Sequence, residues 1–168
     1  MVLKPSEYSP LSSLALAEIF DEAGLPPGVF NLVNGNGFEV GEPLCKHPDV
    51  DMISFTGSTR SGIQVAETAA KTVKRVAQEL GGKSANIVLP DADLKAAARW
   101  NIGRMLFNSG QSCHAPSRML VHQNQMAEVQ MLLSEAVQGI KIGDPLDPTT
   151  QMGPVVNKIQ FDRVQSLI

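Results

Sequence analysis

With 168 residues, the chain is long enough to bury a core and to hold one domain or parts of two. Its net charge of −3 and its lack of a basic stripe argue against a nucleic acid as the main partner. The hydrophobic content of 43% is ordinary for a globular protein. No apolar run is long enough to span a membrane and the first residues do not form a signal peptide, so we expect no membrane association.

The first half of the chain alternates predicted strands with predicted helices. Apolar runs predict strands at residues 2–4, 29–33, 52–55 and 74–80. Helical spacing predicts helices at residues 11–23, 38–46 and 60–71. We expect Ser9 to cap the first helix, with Pro10 at its first position and Gly24 at its end.

The alternation continues through the second half. Strands are predicted at residues 86–89 and 118–122, and helices at 94–107, 124–138 and 158–168. Either Asp91 or Asp93 is expected to cap the helix at 94–107, and loops are predicted at 143–148 and 151–154. Such alternation is typical of parallel β/α units with right-handed crossovers, so we predict an α/β fold.

The two cysteines, Cys45 and Cys113, lie in different settings, which argues against a disulfide scaffold. This usage favours a reducing compartment, so we expect a cytoplasmic protein. The histidines His47, His114 and His122 lack the spacing from the cysteines that metal sites require, so we predict no metal.

Cys113 is the strongest candidate for chemistry because it lies on a short polar loop between a helix and a strand. Backbone N–H groups around such a loop can lower the pKa of a thiol and hold an oxyanion. Glu79 precedes it by 34 residues, ends a strand-like run and is followed by the flexible pair Gly81-Gly82. A thiol and a carboxylate on separate loops predict covalent catalysis with a general base, whose pKa partial burial would raise.

The segment Gly57-Ser58-Thr59-Arg60-Ser61-Gly62 lies between a predicted strand and a predicted helix. A helix N-terminus at this position offers N–H groups and a positive dipole to a phosphate. The Rossmann fingerprint is absent, because Ser58-Thr59 replaces its second glycine. From these residues alone, a phosphate site and a plain strand-to-helix turn both remain open.

Three segments together make the chain resemble the aldehyde dehydrogenase superfamily over essentially its whole length. They are Phe55-Thr56-Gly57-Ser58-Thr59, Glu79-Leu80-Gly81-Gly82-Lys83-Ser84 and Gly110-Gln111-Ser112-Cys113. The resemblance implies that residues 1–81 form the C-terminal half of a partial Rossmann-like, parallel-sheet NAD(P)-binding domain. Residues 82–168 would form the N-terminal part of an α/β catalytic domain that bears the cysteine.

The resemblance also implies NAD as the cofactor, with NADP as the alternative. The residues it assigns to the cofactor are Lys4, Glu7, Gly35, Gly57, Ser58, Leu80 and Gly81. In the family, Lys4 and Glu7 match residues that hold the adenosine ribose hydroxyls, and Ser58 matches a serine on the pyrophosphate. Gly35 would lie near the adenine, whereas Leu80 and Gly81 would flank the nicotinamide. A carboxylate at Glu7 should repel a 2′-phosphate, which favours NAD, although Glu7 could also be a solvated residue before a helix.

The implied reaction oxidises a small-molecule aldehyde to a carboxylic acid. Cys113 would form a thiohemiacetal and then a thioester, and Glu79 would activate the water that hydrolyses the thioester. Relatives that pass the acyl group to coenzyme A usually lack the matching base, so Glu79 favours hydrolysis. A homo-oligomer, dimer or tetramer, is expected for the full-length protein.

Other residues are given structural roles. We expect His114 to point away from Cys113, so that the two form no dyad, and Cys45 to be buried and inert. Lys83 matches a packing or ion-pairing position. Trp100, Met105 and Phe107 fit a helix core or a pocket wall.

Two other functions remain open on the sequence. A cysteine hydrolase or acyltransferase could use Cys113 without a nicotinamide, although it would not need a phosphate turn at Gly57-Ser58. The third possibility is a non-catalytic protein, either a folded fragment that binds nucleotide weakly or a structural protein derived from the family. Both ends resemble cuts through a longer protein, so we expect a central fragment without appreciable activity alone. The family's oxyanion-hole asparagine and nicotinamide-ribose glutamate are expected outside these residues.

Overall fold

The computed structural model describes all 168 residues and divides into two compact units, Met1–Leu80 and Gly81–Ile168. Both units mix helices with strands, and all three strand pairs are parallel. The predicted α/β fold class is therefore confirmed. The assignment of residues 1–81 to a cofactor domain and of residues 82–168 to a catalytic domain stays a prediction.

The first unit contains four strands, three α-helices and one π-type turn. In chain order they are β1 (Val2–Leu3), α1 (Leu11–Glu22), β2 (Asn31–Leu32), the π turn (Gly37–Gly41), α2 (Glu42–Lys46), β3 (Met52–Gly57), α3 (Thr59–Ala70) and β4 (Arg75–Leu80). β1 pairs with β2, and β3 pairs with β4. Each strand and helix predicted in this half is present, with shifted bounds.

Helix α1 ends in a Schellman motif, as the predicted stop at Gly24 requires. Gly24 has a φ of +75°, in the left-handed region that favours glycine. The Leu25 N–H donates to the Phe20 carbonyl at 3.0 Å, and the Gly24 N–H donates to the Asp21 carbonyl at 2.9 Å. These bonds satisfy two carbonyls that the end of the helix would otherwise leave free.

The structure confirms one predicted helix cap and contradicts another. Asp93, the second of the two candidates, caps the helix at 94 because its carboxylate accepts from the Ala96 N–H at 3.0 Å. The prediction of Ser9 as a cap is wrong. Pro10 occupies that position with helical angles, φ −81° and ψ −21°, and no side chain caps the helix.

The β3–β4 pair is the longest in the molecule and places the loops that follow both strands. Its register runs from Met52 opposite Arg75 to Gly57 opposite Leu80. Helix α3 crosses over between the two strands and packs closely on β4 at Gly62. A Cβ atom at Gly62 would lie 2.7 Å from Leu80 Cδ2, so glycine permits this approach.

The second unit is built from one strand pair and three helices. In chain order they are β5 (Ala85–Ile87), α4 (Leu94–Met105), a 3₁₀ turn (Phe107–Gly110), β6 (Arg118–Leu120), a 3₁₀ turn (Gln123–Gln125), α5 (Met126–Gln138) and α6 (Lys158–Gln165). β5 pairs with β6, and an isolated parallel bridge joins Ile142 to Met152.

The core of the second unit lies between α4 and α5. Ala98, Ile102 and Val129 are almost fully buried there. Asn101 is buried as well, and its side-chain oxygen accepts from Asn86 Nδ2 at 2.9 Å, which offsets the loss of water. No helix in the structure combines the length and the apolar character that crossing a membrane requires.

Two aromatic residues that were predicted to lie in a core or a pocket wall are exposed. Trp100 is 53% exposed and Phe107 is 63% exposed, so neither lies in a core of this chain, and the alternative, a pocket wall, stays a prediction. The Arg104 guanidinium carbon lies 5.9 Å from the centroid of the Trp100 ring, within the range of a cation–π contact. Phe107 falls outside α4, which ends at Met105.

Candidate active site

Cys113 lies on a sharply turned loop that follows α4. Asn108, Ser109 and Gly110 have φ values of 53°, 57° and 76°, three consecutive residues in the left-handed region. Asparagine and glycine tolerate this region, whereas serine does so less readily. The backbone therefore turns sharply shortly before Cys113, whose side chain is exposed. The predicted exposed loop between a helix and a strand is present.

Two long-range hydrogen bonds fasten this loop to the segment 153–156. Ser109 Oγ donates to the Gly153 carbonyl at 2.8 Å, with the Pro154 carbonyl 3.2 Å away. Gln111 Oε1 accepts from the Val156 N–H at 3.1 Å. These bonds tether the loop at Ser109 and Gln111, four and two residues before Cys113. Sequence reasoning missed these contacts, since it identified residues 151–154 only as a loop.

On its other side, the loop passes close to Gly82. A Cβ atom built on Gly82 would lie 2.9 Å from the carbonyl oxygen of Cys113, a distance that Cβ contacts essentially never show. Glycine at this position therefore lets two backbone segments touch. Arg118 adds a second connection to the same segment, because its Nε donates to the Lys83 carbonyl at 2.8 Å.

The backbone N–H of Cys113 is free to bind a ligand. Within the turn, the Ala115 N–H donates to the Ser112 carbonyl at 3.2 Å, but no internal hydrogen bond uses the Cys113 N–H as a donor. Ala115 and Pro116, which follow the exposed residues Cys113 and His114, are buried and anchor the end of the turn. An exposed thiol beside a free N–H can attack a carbonyl carbon and stabilise the oxygen that becomes charged.

His114 does not point away from Cys113, and that prediction is wrong. Cys113 Sγ lies 3.9 Å from His114 Nδ1, and both residues are exposed. The turn closed by the Ala115 N–H departs from extended backbone, in which neighbouring side chains alternate, so both side chains share one side. The separation is at the outer limit for a sulfur hydrogen bond, and it does not by itself make a catalytic pair.

Cys45 has the character of an inert thiol, as predicted. It is only 7% exposed and lies in α2. Burial raises the pKa of the Cys45 thiol, the Glu42 carboxylate raises it further, and Lys74 partly opposes the two. A raised pKa lowers the thiolate fraction at neutral pH, so Cys45 is a poor nucleophile.

Glu79 lies in the first unit, at the carboxyl end of β4. It is opposite Thr56 in the β3–β4 register, one position before Gly57 and Leu80. Its side chain is exposed within this unit, so the partial burial expected of a general base is not observed in this chain. Cys113 belongs to the second unit.

The predicted phosphate turn begins α3. Ser58 is the N-cap, and its Oγ accepts from the Ser61 N–H at 3.2 Å and lies 3.0 Å from Ser61 Oγ. A Cβ atom on Gly57 would lie 2.6 Å from Phe55 Cζ, so a side chain there would require the Phe55 ring to move. The turn therefore presents exposed backbone and hydroxyl groups at the N-terminus of a twelve-residue helix, an arrangement that suits a phosphate.

The structure brings together Lys4, Glu7 and Gly35, three of the residues predicted to bind the cofactor. Lys4 follows β1, and Gly35 follows β2, so both lie beyond the carboxyl ends of paired parallel strands. Lys4 Nζ donates to the Gly35 carbonyl at 2.8 Å and lies 3.8 Å from Glu7 Oε2. Glu7 keeps 43% of its side-chain surface exposed and is available to a ligand. Ligands of open α/β sheets bind at such strand ends.

The whole chain, residues 1–168, matches the aldehyde dehydrogenase family. It is 56% identical to the 3-succinoylsemialdehyde-pyridine dehydrogenase of a Pseudomonas species, over 100% of this chain and 35% of that protein. The chain therefore belongs to the aldehyde dehydrogenase family. It spans about a third of the length of the curated relatives that it matches.

Solved structures of family members share this fold. A cysteine-to-alanine mutant of aldehyde dehydrogenase C from Pseudomonas syringae, in complex with NAD+ and octanal, is 56% identical with a TM-score of 0.93. That comparison covers 99% of this chain and 34% of the other. The NAD-dependent aldehyde dehydrogenase from Sinorhizobium meliloti is 44% identical with a TM-score of 0.93, over 98% of this chain and 33% of that one.

Proposed function

We propose that the full-length protein is an NAD(P)-dependent aldehyde dehydrogenase that oxidises an aldehyde to a carboxylic acid. The observation that carries the proposal is the exposed Cys113 thiol beside its own free N–H, in a chain that belongs to this family throughout. The relatives described above, one of them bound to NAD+ and octanal, support an aldehyde as the substrate class.

Cys113 is the proposed nucleophile. Its thiolate forms a bond to the aldehyde carbon, and the carbonyl π electrons move to the oxygen, which accepts a hydrogen bond from the Cys113 N–H. The thiohemiacetal on Cys113 becomes a thioester when its carbon loses a hydride, and a bound NAD+ would supply the acceptor for that hydride. Cys113 then becomes the leaving group when water attacks the thioester carbon.

Glu79 is the proposed general base for that hydrolysis. Its carboxylate takes a proton from the attacking water, so that hydroxide character develops as the new carbon–oxygen bond forms. The products are the carboxylic acid and the free thiolate of Cys113.

Two clusters of residues fit the cofactor. We assign Lys4 and Glu7 to the adenosine ribose hydroxyls and Gly35 to the vicinity of the adenine; the Lys4–Gly35 hydrogen bond and the nearby Glu7 carboxylate support this. Glu7 favours NAD over NADP, because its charge repels a 2′-phosphate.

The second cluster lies at the ends of β3 and β4. Gly57 and Ser58, with the N-terminus of α3, are assigned to the pyrophosphate. Leu80 and Gly81, which follow Glu79, are assigned to the nicotinamide side of the cofactor. Self-association of the full-length protein as a dimer or tetramer is proposed on the family resemblance, and sedimentation measurements test it.

The test compares Cys113→Ala with Cys45→Ala in the full-length protein. NADH formation from NAD+ and a panel of aldehydes should vanish in the first variant and persist in the second, because only Cys113 is exposed. Aldehyde-dependent NADH formation by Cys113→Ala at the wild-type rate would remove the proposed nucleophile. A wild-type protein that reduces NAD+ with no aldehyde in the panel would overturn the proposed function.

A further inference from the structure

The inference concerns how the Cys113 loop is held in place, and it rests on the proposed role of Cys113 as nucleophile. Ser109 has a φ of 57°, although it carries a Cβ atom and lacks the amide that makes asparagine tolerant of this region. Its neighbours Asn108 and Gly110 are residues that suit left-handed backbone. Something beyond local preference therefore holds Ser109 in this conformation.

The Ser109 hydroxyl supplies that restraint. Its Oγ donates to the Gly153 carbonyl at 2.8 Å, a contact between residues 44 positions apart. The local bonds around it involve other groups: Asn108 Nδ2 donates to the Gln111 carbonyl at 3.3 Å, and Gln111 Nε2 donates to the Asn108 carbonyl at 3.0 Å. Ser109 thus connects a locally closed loop to a distant segment.

The same segment reaches the loop a second time, two residues closer to the thiol. Gln111 Oε1 accepts from the Val156 N–H at 3.1 Å. Beyond Cys113, the loop is confined by Gly82, which leaves no room for a Cβ atom beside the Cys113 carbonyl. The backbone at Cys113 is therefore held by the hydrogen bonds of Ser109 and Gln111 before it and by close packing against Gly82. A shift at Ser109 must pass to Cys113 through only a few bonds.

We propose that Ser109 is a positioning residue, whose hydrogen bond to the Gly153 carbonyl sets the orientation of the Cys113 thiolate and of the Cys113 N–H toward the aldehyde. In this role Ser109 acts through Cys113 and not on the aldehyde itself. Its contribution lies in alignment, since a displacement of about 1 Å at a reacting group can lower a rate by roughly 100-fold.

The experiment uses the full-length protein and the variants Ser109→Ala and Ser109→Gly. Both lose the hydroxyl, but glycine also relieves the left-handed strain and should fold at least as well as alanine does. Ser117→Ala is the matched control, because Ser117 follows Cys113 by as many residues as Ser109 precedes it, is exposed, and has a hydroxyl without a hydrogen bond. Formation of NADH is followed in a single-turnover reaction, in which the enzyme is in saturating excess over the aldehyde.

Both Ser109 variants should lower the single-turnover rate constant by roughly 10- to 100-fold. Their KM for NAD and their alkylation of Cys113 by iodoacetamide should stay within about threefold of wild type, because neither depends on alignment with the aldehyde. Ser117→Ala should match wild type. A lower folded fraction alone would change the yield of active enzyme and leave this rate constant unmoved.

A wild-type rate constant in Ser109→Gly would overturn the proposal, since the hydrogen bond would then be dispensable. Equal losses in Ser109→Ala and Ser117→Ala, or parallel losses of NAD binding and alkylation, would also overturn it by showing general disruption. These outcomes leave the proposed function standing. A wild-type protein without aldehyde-dependent NADH formation would instead remove the proposed function and this role with it.

Discussion

Thr56 and Glu79 lie opposite each other in the parallel register of β3 and β4, one position before both strands end. The proposed general base therefore leaves the sheet at the same edge as the turn that is proposed to bind the pyrophosphate. Carboxyl ends of parallel strands are the usual ligand edge of an α/β sheet. The register gives a structural reason for a proposed cofactor-binding turn and a proposed catalytic residue to be neighbours.

Replacing Glu79 by Gln should slow deacylation more than acylation. Loss of a positioned base costs typically about 10²- to 10⁴-fold in the step that it serves. Hydrolysis of the thioester should then limit turnover, and an acyl adduct should accumulate on Cys113. Intact-mass measurement after mixing the full-length variant with NAD+ and aldehyde checks this. Rapid mixing should show an initial burst of NADH, which shrinks to the extent that Glu79 also helps to deprotonate the thiol.

Glu67→Gln is the control for that experiment, because it removes an exposed carboxylate from α3 without touching the strand ends. It should turn over as wild type does and leave Cys113 unmodified at steady state. Rapid turnover by Glu79→Gln without an adduct would exclude Glu79 from the mechanism.

Replacing Glu7 by Gln should weaken the preference for NAD over NADP. The carboxylate lies 3.8 Å from Lys4 Nζ, and its loss removes a charge that would repel a 2′-phosphate. We expect the KM for NAD to rise more than the KM for NADP, measured with one aldehyde at saturation. Glu18→Gln, an exposed change on α1, serves as the control. An unaltered ratio of the two KM values in Glu7→Gln would contradict the assignment to the ribose.

The sequence predicts a feature well when the residues that determine it lie close together along the chain. Short-range features are well predicted: Gly24 ends α1, Asp93 caps α4, and Cys113 lies on an exposed loop. In each case the deciding groups lie within a few residues along the chain. Capping side chains and left-handed glycines act within a few residues, although the local pattern also predicts a cap at Ser9, which the structure does not have.

Features that depend on distant partners are not predicted. The contact from Ser109 to the Gly153 carbonyl joins two loops, and neither carries a periodic signal that would indicate the other. The prediction for His114 rests on extended backbone, whereas the turn that contains His114 brings its side chain toward Cys113. Exposure of Glu79 likewise reflects the tertiary surroundings of β4. Local patterns thus predict short-range structure, whereas the contacts and exposure of the candidate residues depend on the fold.

The loop that follows α5 should keep an ion pair well into acid. Lys141 and Thr149 donate hydrogen bonds to the Asp147 carboxylate and lower its pKa to about 2. A lowered folded-state pKa means that this contribution to stability is present above the unfolded value and is lost as pH falls through about 2. NMR titration of the Asp147 carboxyl carbon in the full-length protein checks the midpoint.

Lys141→Met should move that midpoint up toward the ordinary range of an aspartate, because the largest cause of the shift is removed. Added salt should move it the same way, since the pair is exposed. Lys158→Met, which breaks the exposed Lys158–Asp162 pair on α6, is the control and should leave Asp147 unchanged. A midpoint for wild-type Asp147 near the usual value would contradict the observed hydrogen bonds.

Replacing Gly82 by Ala should displace the Cys113 loop. The new Cβ atom would lie 2.9 Å from the Cys113 carbonyl oxygen, a backbone atom that can move only if the loop moves with it. Overpacking of this kind costs typically about 1–3 kcal/mol, and here the strain falls beside the proposed nucleophile. We expect Gly82→Ala to lower the first-turnover rate of NADH formation by at least about tenfold.

Gly103→Ala is the matched control, because a Cβ atom at Gly103 meets nothing within 4 Å and lies on an exposed face of α4. That variant should turn over as wild type does and unfold at the same or a higher temperature. Wild-type turnover by Gly82→Ala would mean that the loop can shift without harm, and tight confinement of Cys113 would then play no part in its reactivity.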